Sequence, residues 1–175
     1  MNNTLVERGR RLRGFGLVAA LLIALLLPGC GDDSSDVEGA VRAVILVTVV
    51  PNPVIGVQNF LTGAVSAAYI VKISELAGLG CTVQFVSSTV FDPESGVQAA
   101  TNYFDSAALK VFVGTDRVEA NGELDVTQTA NYSLPDARVN ADMTVAVQVI
   151  DDRGSLVNHS TLVRIVPPEE PVPVP

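Results

Sequence analysis

The chain has 175 residues, a formal charge of −8, 48 % hydrophobic residues and two cysteines. Residues 31–175 hold 7 basic and 18 acidic side chains, a net −11, which argues against nucleic acid and against charge-driven docking to anionic lipid. Two cysteines, one of them Cys30 in the leader, exclude a disulfide framework.

The first thirty residues divide into three parts. Arg8, Arg10, Arg11 and Arg13 form a positive segment, and Phe15 to Leu27 form a thirteen-residue apolar run broken only by Gly16. That run suits the apolar part of a secretory signal better than a membrane span of about 20 residues. Leu27-Pro28-Gly29-Cys30 follows. It resembles the lipobox of bacterial lipoproteins: a branched apolar residue, a small residue, Gly or Ala, then cysteine. Leu27, Gly29 and Cys30 match, and Pro28 is the departure. The resemblance implies diacylglycerol in thioether linkage to Cys30, cleavage before it, and acylation of the new amine, palmitate being a typical chain. The bilayer is then one partner, and the covalent lipid stands where a cofactor otherwise would. Two or more acyl chains hold a protein on a membrane where one does so only marginally.

Gly31 to Glu38 is short, polar and acidic, a tether between lipid and domain. In proteobacterial lipoproteins an Asp directly after the cysteine retains the protein in the inner membrane. Here Gly31 holds that place and Asp32 comes one later, which points to the outer membrane in an organism that has one.

From Gly39 onward the pattern is β. Runs of Val, Ile and Thr alternate with polar residues and are separated by Gly, Pro, Asn and Asp. Val41–Val50, closed by Pro51-Asn52-Pro53, is apolar on both faces and predicts a strand covered on both sides. Val54–Gly63 reads as loop. Ala67–Ser74 is a strand, Gly78-Leu79-Gly80 a turn, and Cys81, Val83 and Phe85 share one face of the next strand, with a bulge at Ser87-Ser88. Asp92–Gly96 is a turn by composition. Val97–Ala107 fits a strand or a short helix, and Leu109, Val111 and Val113 predict a strand. Asn121-Gly122 signals a hairpin. Leu124, Val126, Ala130, Tyr132 and Leu134 line one face of the following run, Gln128 being the polar exception on it. Ala141 to Val149 alternates, Asp151–Gly154 turns the chain, and Val157 to Ile165 is the last strand. Pro167–Pro175 is a proline-rich tail that would span about 28 Å as polyproline II.

Seven or eight short strands with regular turns predict an all-β fold, a single antiparallel β-sandwich preceded by a cleaved signal helix. Residues 123–167 resemble the end of an immunoglobulin-like or fibronectin type III-like domain, through the Leu134-Pro135 corner, the Val145–Val149 strand and the Asp-Asp-Arg-Gly turn. Met143 sits where that family places a corner tyrosine, and the chain has no tryptophan. The organisation is therefore 1–29 signal, 30–38 lipidated cysteine and tether, 39–166 domain, 167–175 tail.

Residues for catalysis are sparse. His159 is the only histidine and falls within the last strand, and there is no Gly-x-Ser-x-Gly motif or phosphate-cradling glycine motif. Zinc lacks ligands. Acidic residues cluster at Asp92/Glu94, Asp116/Glu119/Glu123/Asp125 and Asp151/Asp152. They read as solvated turns, with calcium between loops as the alternative; no EF-hand spacing is present. Cys81, in an apolar stretch, reads as a buried thiol. The expectation is a membrane-anchored, extracytoplasmic, non-enzymatic binding or structural module with no catalytic residues, metal or free cofactor and with a protein partner in the cell envelope. The alternatives are an accessory subunit of a secretion, pilus or transport assembly, or a small-ligand carrier.

Overall fold

The computed structural model describes residues 42–169. The chain runs β1 (Ile45–Val50), β2 (Val54–Gln58), β3 (Val65–Glu75), β4 (Cys81–Phe91), β5 (Gln98–Asp105), α1 (Ser106–Phe112), β6 (Arg117–Val118), β7 (Glu123–Tyr132), β8 (Ala141–Asp151) and β9 (Leu156–Val166). The all-β expectation therefore stands in its coarse form. One correction applies: the nine strands are linked in one mixed hydrogen-bonded sheet, and its β2–β9 pairing is parallel, so the arrangement is not purely antiparallel.

The pairings fall into two sets. β3 is flanked by β1 and β2 along one edge and by β7 along the other. β8 lies between β9 and β4, and β4 also carries β5 and the short β6. β2 joins the sets: Gly56–Gln58 pair antiparallel with Val65–Ala67 of β3, and Val54–Ile55 pair parallel with Ile165–Val166 of β9. Period-two alternation produces the core. Val47, Val49, Val71, Ile73, Val126, Met143, Val145 and Val163 all point inward and are buried.

Five local expectations change. β1 is covered on one side only, since Leu46 and Val50 are exposed. Val54–Gln58 is a strand, not a loop. Its Gly56 is needed because an added Cβ would stand 2.9–3.0 Å from side-chain carbons of Val139, Ile165 and Val65. Gly56→Ala should cost about 1–3 kcal/mol in a denaturant titration through overpacking.

The bulge in β4 lies between Val83 and Phe85, not at Ser87-Ser88, where pairing with β8 is continuous. The extra residue shifts the inward phase to Val86, Ser88 and Val90 and turns Phe85 outward. There its ring stacks on Tyr103 with centroids 5.6 Å apart.

Leu109, Val111 and Val113 are not a strand. Asp105 caps a short helix by accepting from the Ala108 N–H at 2.7 Å, and only Leu109 of that helix is buried. Asn121-Gly122 does turn the chain, but it joins β6 to β7, which pair with β4 and β3 and not with each other.

The connection from β7 to β8 is closed by Tyr132, whose hydroxyl donates to the Val139 carbonyl. A tyrosine thus closes this corner from the preceding strand, while Met143 is left free to fill the core. Burial pushes the Tyr132 phenol up to about 12.

Candidate interaction surface

The lipobox residues Leu27, Pro28, Gly29 and Cys30, the tether and Glu170–Pro175 lie outside the described residues. Cys81 is fully buried on β4. Burial, with the Glu75 charge adding to it, pushes its thiol up to about 11. The thiolate is the reactive form, so a thiol reagent should label the folded protein on the order of 100-fold more slowly than the urea-unfolded chain. Comparable rates would contradict the burial. His159 sits half-buried on β9 opposite Val147.

The acidic turns are not simply solvated. Asp151, Asp92 and Asp116 are buried, and each organises its own loop. Asp151 accepts from the N–H groups of Ser155 (2.7 Å), Arg153 (3.0 Å) and Ala43 (3.3 Å). Asp92 accepts from the Ser95 hydroxyl (2.7 Å) and the Glu94 N–H, with Arg138 at 3.3 Å. Asp116 accepts from the Ser106 hydroxyl and pairs with Lys110 at 3.0 Å.

The exposed acids also have cations beside them. Lys72 bridges Glu123 and Asp125, and Arg117 grips Asp152 through two nitrogens while touching Glu119. Among the described residues no group of three His, Cys, Asp or Glu side chains could hold a metal ion.

Sequence reading missed Glu75, the most enclosed carboxylate. It ends β3, is 1 % exposed, and accepts from the N–H groups of Ala77 (2.8 Å), Gly78 (2.9 Å), Asn121 (3.0 Å), Leu79 (3.1 Å) and Val44 (3.4 Å). Burial by itself would raise its pKa. The backbone donors outweigh that and hold the carboxyl below its ordinary value. Glu75 and Asp151 together place the entry of the chain at Ala43-Val44 beside the β3–β4, β6–β7 and β8–β9 turns.

The other end carries the β2–β3 turn, the β4–β5 turn and the β7–β8 connection. Gln58 donates to the Ala137 carbonyl there, and Arg138 reaches Asp92. β3 runs from end to end, 11 residues or roughly 35 Å. The β2–β3 turn is held by Asn59, whose N–H donates to Ala64 O (2.7 Å). Asn59 O accepts from Gly63 and Thr62, and its Oδ1 accepts from the Leu61 N–H. This braced turn displays Phe60 and Leu61, which are 92 % and 97 % exposed. A groove of about 310 Å³ lies next to it, between Val57, Phe60, Val139 and Pro167-Pro168. The missed signal was a Phe-Leu pair between Asn59 and Gly63, residues that favour a turn.

No protein-family model matches the chain, and no curated protein matches it. Among the solved structures similar in fold are the following two. The structural genomics target SoR45 aligns with 71 % of this chain and 87 % of its own, at 14 % identity and a TM-score of 0.55. A Bordetella pertussis protein named ApaA in its crystal structure aligns with 74 % of this chain and 98 % of its own, at 13 % identity and a TM-score of 0.57. At such identities the likeness is one of fold, and the described chain shares its β architecture with these two proteins.

Proposed function

We propose that this chain is a lipid-anchored protein of the cell envelope, held to the membrane through diacylglycerol on Cys30. Its domain is an immunoglobulin-like sandwich that works as a non-catalytic binding or structural module. The sandwich reading is supported by the two pairing sets, which face each other as layers if β2 is the strand that passes between them. Side chains also link the sets. Gln128 on β7 accepts from Ser88 on β4, and Asn102 on β5 donates to the Thr129 carbonyl on β7. A fibronectin type III-like order would have β1, β3 and β7 in one layer and β9, β8, β4 and β5 in the other, with β2 crossing between them.

The binding-module reading rests on how polar and apolar groups are distributed. Each buried carboxylate is engaged by backbone N–H groups or by a hydroxyl or cation of its own loop, while large apolar side chains stand exposed on a braced turn. That arrangement suits contact with another surface.

Fractionation of cells expressing the chain tests the proposal. The wild type should sediment with membranes, resist extraction by high salt and dissolve in detergent. Cys30→Ser should leave the unprocessed precursor. A wild type found wholly in the soluble fraction at full precursor mass would sink the proposal.

A further inference from the structure

From Ala43 to Val71 the chain passes 29 residues without a single Asp, Glu, Lys or Arg. The structure shows where this stretch lies. Leu46, Thr48 and Val50 of β1 stand opposite Ser74, Lys72 and Ile70 of β3, and Val57 of β2 stands opposite Ser66. These positions share the outer face of β3, and Val44, Leu46, Val50, Val57, Phe60 and Leu61 are all exposed. A mostly apolar flank, crossed by Lys72 and entered beside Arg42, therefore runs the length of the domain. It begins where the chain enters, at Ala43, and ends at the Phe60-Leu61 turn.

We propose that this flank lies on the lipid bilayer, with Phe60 and Leu61 inserted among the acyl chains. Its orientation rests on the lipid-anchor reading above. Three observations select lipid over a protein partner. First, the rim of a protein interface is polar and pairs charges. Of the charges bordering this flank, Lys72, Glu123 and Asp125 are already paired with one another, and Arg42, exposed at its start, is the one left without an ion pair among the described residues. Second, the turn is braced by its own hydrogen bonds and leaves Phe60 and Leu61 almost fully exposed, so two apolar side chains project from a held support, which a fluid layer accommodates without a matching pocket. Third, on the lipid-anchor reading the segment upstream of Ala43 tethers the domain to a bilayer, so a weak apolar contact meets that surface at high effective concentration. A single weak attachment becomes effective when a second one keeps it near the surface. Among the described residues the basic side chains on this face are Arg42 and Lys72, and Lys72 is paired, so the contact is mainly apolar and high salt should not release it.

The absence of tryptophan makes the test direct. Phe60→Trp in the full, lipidated chain gives a single tryptophan, excited selectively over the three tyrosines, and Phe112→Trp on α1, at a side chain also exposed, gives the control. Both proteins are reconstituted into vesicles of phosphatidylethanolamine and phosphatidylglycerol, with and without doxyl-labelled lipid. The proposal expects position 60 to emit blue-shifted and to be quenched several-fold more than position 112, unchanged by added salt. Leu61→Ser in the Phe60→Trp background should reduce that quenching. Water-like, unquenched emission at position 60 in a chain that does carry palmitate overturns the proposal and leaves the anchor reading intact. A photo-crosslinker at position 60 that joins one defined protein and no lipid overturns it in favour of a protein interface. Quenching at position 60 by added vesicles in a chain without palmitate would uphold the flank and remove the anchor.

Discussion

Glu75→Ala is expected to destabilise the domain by about 3 kcal/mol. The carboxylate collects five backbone N–H groups from three separate segments: the entry to β1, the β3–β4 turn and the β6–β7 turn. Alanine leaves those donors with no acceptor inside a nearly closed cage, and an unsatisfied buried donor costs more than a formed bond contributes. Glu75→Gln should fall between. It keeps one oxygen, but its amide presents N–H to donors on the other side. Urea titrations of the three proteins test this, and an alanine variant within 1 kcal/mol of wild type would mean the cage does not hold the turns.

The effect should depend on pH in a defined sense. The folded pKa of Glu75 is lowered from 4.5, so its contribution is complete above that value and disappears as pH falls through the lower, folded value. Asp151, Asp92 and Asp116 are lowered as well, Asp151 chiefly by the Ser155 N–H and Asp92 chiefly by the Ser95 hydroxyl. For Asp116, burial opposes the shift, and Ser106 and Lys110 outweigh it. The domain should therefore lose stability in acid below the ordinary carboxylate range, and the gap between wild type and Glu75→Ala should narrow there.

Gln128→Leu is the second large effect, about 2 kcal/mol. Gln128 is buried on β7, and its Oε1 accepts from both the Tyr69 hydroxyl (3.0 Å) and the Ser88 hydroxyl (2.8 Å), while its Nε2 has no partner. Leucine removes the shared acceptor and strands the two hydroxyls in the core. Removing all three polar groups together, as Gln128→Leu with Tyr69→Phe and Ser88→Ala, takes away the orphans along with the bonds. The triple variant should return to within about 1 kcal/mol of wild type or exceed it, since an apolar replacement of a partly satisfied network can be neutral or stabilising. Additive losses across the three substitutions would contradict this account of the network.

What sequence reading reached, and what it missed, follows the range of the interactions involved. β7 was readable because its alternation is strict over ten residues and the core enforces it. The β8–β9 turn was readable because Asp151 and Gly154 act within four residues, the Asp151 carboxylate taking the Ser155 N–H and Gly154 adopting φ +82°. β2 was missed because a five-residue strand with a central glycine between Pro53 and Asn59 looks like loop. The reason for that glycine, the side chains of Val65, Val139 and Ile165, lies far off in sequence. Alternation alone puts Phe85 on the inner face, but one bulge reverses the phase of everything after it and turns the ring outward. Leu109, Val111 and Val113 alternate like a strand, yet a cap at Asp105 three residues before Ala108 starts a helix that buries only Leu109.

Glu75 illustrates the remaining gap. A lone acid at a strand end looks solvent-facing, and only the register that brings Val44, Asn121 and the Ala77–Leu79 turn around it shows otherwise. The flank is the reverse case. The lack of charge from Ala43 to Val71 is plain in the sequence, but that Leu46, Val50, Val57 and Phe60 stand exposed along one edge is a property of the fold.

The mass of the N-terminal peptide of the membrane-extracted protein decides whether the chain is lipid-anchored. A mature chain that begins at Cys30 and carries diacylglycerol on its sulfur is expected. A chain that retains residues 1–29, or begins at Cys30 with an unmodified thiol, would contradict the anchor.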